Sequence, residues 1–533
     1  MKKKTVSLIL ILCMLFSCLT AVGFSAERKD YGLAKSCEDG NILHCFNWTL
    51  AQIKEELPNI AEAGFTSVQT SPLQSHDGNT QWYWLYQPKG FTIGNELGSY
   101  DDLRTLCTEA HKYGVKIIVD VVANHVAGSK TGNLANSVEN VFKTNKSTYF
   151  HNMGECTNYN NRYDVTHKNI GMPDLNSENT AIQNMVAALI EQYKAAGVDG
   201  IRWDAAKHIS LPSENCAFWD KMSKIDLYQY GEILDNPAGD SGTTVNKNLM
   251  NEYAQYIRVT DSKYSSTIMT AVRDGSNAKS SGYWNRQGLS TDRLIYWAES
   301  HDTYSNTDGW TKNIDQNKID RAYAILGARA NAQSLYLSRP FEKNHTSIYY
   351  GKKGSTHFTS KEVAAVNHFH NAMIGKEEKY SNSGGCYVVW RRGGAVIVSM
   401  KSSDVDVTVT NSNSMVPIGT YLDEVSGSAF TVTESNITGH IGASGIAVIY
   451  NKEPDIPDLL IGDTSLDEYL DVDDATLIQR HLDAIITLPD DKQLAADADR
   501  DGQVTIVDAT AIQWYLAEMD YSGSKVGKRL SEL

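Results

Sequence analysis

The chain has 533 residues, 41% hydrophobic and 21% charged, an ordinary globular composition that excludes disordered, collagen-like and coiled-coil proteins. Its formal net charge is −15, which argues against a surface for nucleic acid or anionic membranes, so we expect no nucleic-acid partner. The charge is uneven, because residues 459–533 hold 16 acidic and 6 basic side chains.

The N-terminus has the pattern of a secretory signal peptide. Three lysines at positions 2–4 precede an apolar run over residues 6–16 and small residues up to Ala26. A membrane anchor is the alternative, but the run is shorter than the ~20 residues that a span needs. We therefore predict a signal peptide at 1–26, cleaved after Gly23 or Ala26, and an extracellular protein.

Six cysteines remain after such cleavage, and they show no metal-binding spacing. In a secreted chain they could pair, or they could be free buried thiols; the sequence leaves both open. They are Cys37, Cys45, Cys107, Cys156, Cys216 and Cys386.

Short apolar runs alternate with amphipathic helical patterns from residue 41 to about 340. Eight such units predict a closed (β/α)8 TIM barrel, assigned here to residues 27–372. The helical patterns include 50–63, 100–113 and 179–196. The predicted strands are 42–46, 65–70, 115–121, 200–203, 228–232, 268–272, 294–298 and 334–337.

Two regions depart from this alternation of strand and helix patterns. Residues 126–177 are rich in Asn, Gly and Thr without periodicity, which indicates a loop-rich insertion after the third strand. Residues 373–452 contain short strand patterns separated by turns with Gly, which predicts an antiparallel β-sandwich. Its expected strands are 386–391, 395–400, 405–410, 430–432 and 446–450, followed by a stiff linker at 453–458.

The acidic C-terminal region contains an internal repeat at an offset of 34 residues. Its second copy has oxygen-bearing side chains at loop positions 1, 3, 5, 9 and 12 and Gly502 at position 6, as in an EF-hand Ca²⁺ loop, and a helix follows over 509–516. The first copy has Glu468 in place of the Gly, so we expect weaker binding or more strain there. The proposed ligands are Asp463, Ser465, Asp467, Asp471 and Asp474 in the first copy and Asp497, Asp499, Asp501, Thr505 and Asp508 in the second.

Polar side chains cluster at the C-terminal ends of the barrel strands, where barrel enzymes place their chemistry. Asp204 follows the fourth strand, Glu232 the fifth and Asp302 the seventh. A single Asp after a strand is more often a helix cap. Polar clusters after four strands are hard to explain as caps and predict a site with three carboxylates.

The chain resembles glycoside hydrolase family 13, the α-amylases, and especially secreted bacterial ones. Four ordered motifs carry the resemblance, at 120–125, 200–208, 231–234 and 299–302, supported by stretches at 82–88 and 160–166. The motifs read DVVANH, GIRWDAAKH, GEIL and ESHD, and the stretches read WYWLYQP and NNRYDVT. The resemblance spans roughly residues 41–450.

This resemblance implies hydrolysis of α-1,4-glucosidic bonds with retention of the anomeric configuration. It makes Asp204 the nucleophile and Glu232 the general acid and base, with Asp302 holding sugar hydroxyls. We expect Arg202 to keep Asp204 ionised, and crowding with burial to raise the pKa of Glu232. A retaining mechanism needs carboxyl groups ~5–5.5 Å apart.

The resemblance also implies sugar-binding residues and a structural Ca²⁺ site. The site would use Asn124, Asp164 and the His208 carbonyl, which are oxygen ligands of the kind that Ca²⁺ prefers. The sugar-binding candidates are Tyr83, Tyr86, His125, Arg202, Lys207, His208 and His301.

The repeated loop–helix copies resemble a type I dockerin, assigned to residues 459–522 with a tail at 523–533. Dockerins bind cohesin modules of scaffold proteins, so we expect a cohesin partner and attachment to a scaffold, with the catalytic part monomeric. An acidic solvated tail would not explain the duplicated ligand spacing.

The sequence thus predicts a secreted, endo-acting, Ca²⁺-dependent enzyme on starch and maltooligosaccharides. A related 4-α-glucanotransferase or maltogenic enzyme would have the same three carboxylates. A non-catalytic starch-binding subunit would require their loss.

Overall fold

A computed structural model describes residues 29–234, 244–278, 289–451 and 459–532. The chain divides into two compact units, residues 1–450 and 451–533, and each is described by itself. The predicted signal peptide at 1–26 and the linker at 453–458 lie outside the described residues.

Eight parallel strands of the first unit close into a barrel in which neighbours along the chain are neighbours in the sheet. This confirms the predicted (β/α)8 barrel. The strands are β1 (Ile42–Cys45), β2 (Ser67–Thr70), β3 (Lys116–Val122), β4 (Gly200–Asp204), β5 (Tyr228–Gly231), β6 (Arg258–Thr260), β7 (Leu294–Trp297) and β8 (Gln333–Leu337).

The helices of this unit begin at polar caps and bury one apolar face. In the first, Thr49 and Gln52 form a capping box, and Leu50, Ile53 and Leu57 are buried. The helices are α1 (Leu50–Glu62), α2 (Tyr100–Lys112), α3 (Asn140–Thr144), α4 (Lys146–Tyr149), α5 (Arg162–His167), α6 (Thr180–Ala195), α7 (Phe218–Met222), α8 (Thr244–Tyr253), α9 (Ser262–Asp274), α10 (His301–Ser305), α11 (Gln316–Gly327) and α12 (Lys361–Ala372).

The prediction of a sixth strand at 268–272 is wrong. These residues form the buried face of α9, which Asp261 caps by accepting from the Tyr264 N–H and which ends at Gly275 in a left-handed conformation. The sixth strand is β6, only three residues long, and so short a strand has too few positions to show an apolar pattern.

Two additions to the barrel build up its C-terminal mouth. A hairpin of Gln74–His76 and Pro88–Ile93 lies between β2 and α2 and was not predicted. The insertion at 126–177 contains the three short helices α3, α4 and α5 and isolated bridges, among them His125 with Asp174. It is loop-rich, as predicted.

Residues after α12 form two four-stranded antiparallel sheets, which confirms a β domain. Its core contains Trp390, Ile397 and Phe430. Sequence analysis did not predict three of the strands, β9 (Glu378–Ser383), β13 (Gly419–Leu422) and β15 (Asn436–Ile441). Their residues are mostly polar and partly exposed, which hides the alternation of apolar and polar side chains. The strands are β9 (Glu378–Ser383), β10 (Cys386–Arg391), β11 (Gly394–Ser399), β12 (Val405–Thr410), β13 (Gly419–Leu422), β14 (Ala429–Val432), β15 (Asn436–Ile441) and β16 (Ile446–Tyr450).

The second unit contains α13 (Val472–Leu482), α14 (Asp490–Ala496) and α15 (Ile506–Leu516) around a small apolar core. The repeated loops precede α13 and α15. Residues 523–533 had been assigned as a tail, yet the Gly527 N–H donates to the Ile461 carbonyl at 2.9 Å and Val526 joins the core. The end of this unit is therefore closed against its beginning.

The six cysteines outside the signal peptide are free and buried in the described part of the chain, which decides between the two alternatives in favour of thiols. No helix among the described residues has the length and apolar character needed to cross a membrane.

Candidate active site

The strand ends bring the three predicted carboxylates into one cleft. Asp204 is the last residue of β4, Glu232 follows β5, and Asp302 lies in the first turn of α10 after β7. All three line a cleft of about 470 Å³, which adjoins a second one of about 310 Å³.

Arg202 is the centre of the charge network. Its side chain is buried, and its Nη1 lies 2.8 Å from Asp204 Oδ1 and 2.9 Å from Asp120 Oδ1. Its Nη2 lies 3.0 Å from Glu232 Oε2. Asp120 and Arg202 are direct partners in the parallel pairing of β3 and β4, which fixes this geometry.

Asp120 was not among the predicted site residues, although it opens the DVVANH motif. It is fully buried and accepts from both Arg202 and the Tyr86 hydroxyl, which lies 3.0 Å away. Burial raises its pKa to about 6 against the lowering effect of Arg202. Its place at the start of the DVVANH motif was a signal that sequence analysis could have used.

The charges around Arg202 set the proton affinities of the catalytic candidates. Burial raises the pKa of Asp204 to about 7, although Arg202 opposes this. Burial also raises the pKa of Asp302, and the neighbouring Glu232 carboxyl, with which it shares a hydrogen bond, adds to this effect.

The expectation of a raised pKa for Glu232 is wrong in this geometry. Burial pushes its pKa up, but the Arg202 guanidinium, together with the Ala205 N–H at 3.1 Å, lowers it below its usual value. Sequence analysis paired Arg202 with Asp204 alone, whereas its second nitrogen reaches Glu232. Within this hydrogen-bonded pair, the pKa of Asp302 is raised and that of Glu232 is lowered.

The predicted sugar-binding residues are brought together at the same cleft. Tyr83, Tyr86, His125, Lys207, His208 and His301 line the larger part, and Arg202 lines the smaller. Tyr86 stacks on His301 with ring centres 5.3 Å apart. Leu234 and Trp310 also line the cleft and were missed, since single apolar loop residues carry no sequence signal.

The histidines at the cleft are neutral near neutral pH. Burial lowers the pKa of His125, that of His208 to about 4 and that of His301 to about 3. His125 Nε2 donates to the Tyr86 carbonyl at 3.0 Å, and His208 Nδ1 donates to the Val165 carbonyl at 2.9 Å. Neutral rings can contact sugar hydroxyls without adding charge.

One of the proposed Ca²⁺ donors, Asp164, is engaged in an ion pair. The Asp164 carboxylate pairs with Lys168 Nζ at 2.8 Å. Asp174 lies beside Asn124 instead: the two side chains interact, and the Leu175 N–H donates to the Asn124 carbonyl at 2.9 Å.

A hard cation fits beside Asn124 better with Asp174 than with Asp164. Asp174 is buried, and in the described part of the chain its Oδ1 has no hydrogen bond of standard geometry. A buried carboxylate oxygen without a partner is costly, and Ca²⁺ coordination would satisfy it. The structure therefore favours Asn124 and Asp174 as donors.

The repeated loops have the turn geometry of ion-binding loops. Acidic oxygens of Asp497, Asp499 and Asp501 lie within 4.8 Å of one another. Glu468 of the first loop has φ +70°, the conformation that Gly502 adopts in the second at φ +86°. A side chain in this region is strained, in agreement with the expected difference between the two copies.

Arg162 joins the insertion to the catalytic loop after β4. It donates to both Glu214 oxygens, at 2.7 and 2.8 Å, and to the Lys207 and Ile209 carbonyls. That loop also carries Ala205, whose N–H contacts Glu232. Arg162 lies in the NNRYDVT stretch that supports the resemblance, but sequence analysis assigned it no role.

We expect Arg162→Met to lower the free energy of unfolding by roughly 2–4 kcal/mol, because it leaves a partly buried carboxylate and two carbonyls without their donor. Thermal or denaturant unfolding measures this loss. Arg104→Met is the control, since its pair with Asp101 is exposed and should contribute less than ~1 kcal/mol. Equal losses in the two variants would contradict the assigned role.

The sequence is similar to those of known proteins. A family model described as "Alpha amylase, catalytic domain" matches residues 35–345. An α-amylase of Clostridium acetobutylicum is 35% identical over 453 residues, covering 80% of this chain and 56% of the relative. One of Butyrivibrio fibrisolvens is 30% identical over 491 residues, covering 80% and 49%. The chain thus spans about half the length of these relatives.

Solved structures resemble the fold of the chain. The crystal structure of an α-amylase from Geobacillus thermoleovorans complexed with acarbose has a TM-score of 0.63 and 17% sequence identity. The match covers 79% of this chain and 99% of that protein. At this identity the likeness concerns the fold alone.

Proposed function

The chain belongs to the α-amylase family, and from that premise we propose that it hydrolyses internal α-1,4-glucosidic bonds of starch and maltooligosaccharides with retention. This proposal rests on the convergence of Asp204, Glu232 and Asp302 around Arg202 in one cleft. Two carboxyl groups flanking a glycosidic bond are the basis of this chemistry.

In the first step, an Asp204 oxygen attacks the anomeric carbon and forms a glycosyl ester, while Glu232 gives a proton to the leaving oxygen. Arg202 Nη1 at 2.8 Å supports the Asp204 anion before the attack. Water then hydrolyses the ester with Glu232 as the base, and the two inversions together retain the α configuration.

The shared hydrogen bond between Glu232 and Asp302 supplies the acid proton. The pKa of Asp302 is raised by burial and by Glu232, which favours its protonated form within the pair. Sugar hydroxyls that donate to Asp302 stabilise its anion and shift the proton to Glu232. Substrate binding and protonation of the general acid Glu232 are thereby linked.

The surrounding side chains would hold the glucan. Tyr83 and Tyr86 offer ring faces and edges for sugar contacts, and neutral His125 and His301 offer ring nitrogens. Lys207, whose Nζ donates to the Leu234 carbonyl at 3.1 Å, also lines the cleft.

We also propose Ca²⁺ at two places. Asn124 and Asp174 would hold it between the barrel and the insertion, where it would fasten a segment that has little core of its own. The loops at 463–474 and 497–508 would hold it in the second unit. The acidic cluster of the second loop supports this assignment.

Export and attachment complete the proposal. The signal-peptide pattern supports an extracellular protein. The repeated loops and helices support a dockerin that attaches the enzyme to a cohesin-bearing scaffold. Val472, Ile506 and Val507 at the starts of α13 and α15 are exposed, as a contact surface requires.

Glu232→Gln should lower kcat on soluble starch by roughly 10²–10⁴-fold, since an amide cannot protonate the leaving oxygen. Unchanged unfolding would show that the fold is intact, and Glu191→Gln on the exposed face of α6 is the matched control. NMR of early products should show the α anomer. Longer or cyclic glucans from the wild type would instead indicate a transferase, and bound but unconverted starch a binding module.

The pH dependence follows from Asp204, which must be ionised to attack. Because burial raises its pKa to about 7, kcat/KM should fall as the pH decreases through this region. Its acid limb should lie well above pH ~4, where an exposed Asp titrates. Initial rates on a short maltooligosaccharide, with recovery checked at neutral pH, measure this. An acid limb near pH ~4 would contradict the buried nucleophile.

Asp497→Ala combined with Asp501→Ala should abolish Ca²⁺-dependent binding to a cohesin while leaving starch hydrolysis unchanged. The loss is expected because two of the clustered oxygens disappear. Asp404→Ala with Asp406→Ala, on the exposed surface of the β-sandwich, is the control. Binding assays with cohesins of several scaffolds measure the effect. Loss of amylase activity in the Asp497/Asp501 variant would contradict separate roles for the two units.

A further inference from the structure

Three side chains that commonly bind transition metals meet in and beside the insertion. They are His151, His167 and Glu178, and a ligand atom of each lies within 4.8 Å of those of the other two. His151 follows α4, His167 ends α5, and Glu178 precedes α6. None of the three lines the catalytic cleft described above.

The Glu178 carboxylate faces both imidazoles. Its Oε2 lies 2.7 Å from His151 Nε2, and its Oε1 lies 3.8 Å from His167 Nε2. The two rings are 4.5 Å apart between centres. The longer gap exceeds a hydrogen bond but is close to the ~3.4 Å that separates two ligands of a tetrahedral zinc ion at ordinary bond lengths.

The other nitrogen of each ring is already engaged. His151 Nδ1 lies 2.6 Å from Asp174 Oδ2. His167 Nδ1 lies 3.2 Å from the Tyr163 carbonyl and 2.8 Å from the Thr166 hydroxyl. A proton on His167 Nδ1 leaves its Nε2 lone pair free to face Glu178. His151 Nε2 donates to Glu178 Oε2 and would release that proton on binding a metal ion. Metal-binding histidines are oriented by such carboxylate and carbonyl partners.

We propose that His151 Nε2, His167 Nε2 and the Glu178 carboxylate form a binding site for Zn²⁺ or a similar divalent transition-metal ion. Two imidazoles and one carboxylate are a known zinc ligand set, with water in the fourth position. The side chains are 7%, 18% and 25% exposed, so an ion can enter and retain a water. The short His151–Glu178 contact, 2.7 Å long, would open by about 0.7 Å to reach the separation of two tetrahedral zinc ligands.

A metal-free ion triad is the alternative explanation. In that case His151 would be a cation between Asp174 and Glu178, held at 2.6 and 2.7 Å. This accounts for His151 but not for His167, whose Nε2 faces Glu178 without a hydrogen bond. The comparable group of Asp320, His357 and Glu362 has only one imidazole.

The site would differ from the proposed Ca²⁺ site by its ligands while sharing one partner. Ca²⁺ prefers the oxygens of Asn124 and Asp174, whereas nitrogen ligands favour Zn²⁺. Asp174 would support both, since its Oδ2 orients His151. An ion here would join three separate segments and stiffen the insertion.

The test is Zn²⁺ titration of the full chain by calorimetry after chelator treatment and re-saturation with Ca²⁺, which fills the oxygen sites first. The wild type should bind one Zn²⁺ that His167→Gln binds more than ~100-fold more weakly, because losing a ligand costs more than the 10–100-fold typical of an outer partner. His440→Gln, a histidine between Asp404 and Asp406 on the sandwich surface, should bind like the wild type.

Anomalous diffraction at the zinc edge keeps the proposal testable even if a variant fails to fold. A peak between the three side chains in Zn²⁺-soaked wild-type crystals is expected. Equal Zn²⁺ binding by wild type and His167→Gln would overturn the site. So would crystals with zinc only at the loop of Asp497, or with none. Neither readout depends on glucan hydrolysis, so the proposed function can fail independently.

Discussion

A single buried guanidinium holds the catalytic cleft together. Arg202 contacts Asp120, Asp204 and Glu232, and the strand pairing of β3 with β4 fixes its position. Four carboxyl groups, counting Asp302, lie around one positive charge at the cleft. They cannot all ionise at low cost, so the cluster retains a proton near neutral pH. A glycosidase needs that proton for the leaving group.

The cleft depends in turn on parts of the chain outside the barrel. The loop after β4 carries Ala205, in a left-handed conformation at φ +50°, and its N–H contacts Glu232. Arg162 holds the same loop from the insertion, and His208 contacts the Val165 carbonyl. The insertion thus contacts the loop whose backbone donates to Glu232, the proposed acid, so ions that stiffen the insertion would act on the proposed catalysis through this loop.

The sequence was sufficient for the barrel and for the grouping of Asp204, Glu232 and Asp302, because strand ends of a parallel barrel meet on one face. Prediction from the sequence failed where a local pattern fits more than one structure, and where contacts between distant segments decide the role of a residue. The apolar run at 268–272 fits a strand as well as the buried face of a helix. The lowered pKa of Glu232 arises from the reach of Arg202 to the end of the neighbouring strand, which no spacing reveals. Likewise Asp174 lies beside Asn124 only because the insertion folds back on β3.

The contact of Glu468 with Arg529 gives the first loop of the C-terminal unit a property that the second loop lacks. Glu468 stands at the strained turn of that loop, and Arg529 belongs to the chain end that closes against Leu460. An ion held in the first loop and closure of the chain end would therefore strengthen each other by the same factor. Removal of the last few residues would weaken ion affinity at the first loop. Removal of the ion would in turn weaken the contact of the C-terminal residues with Leu460.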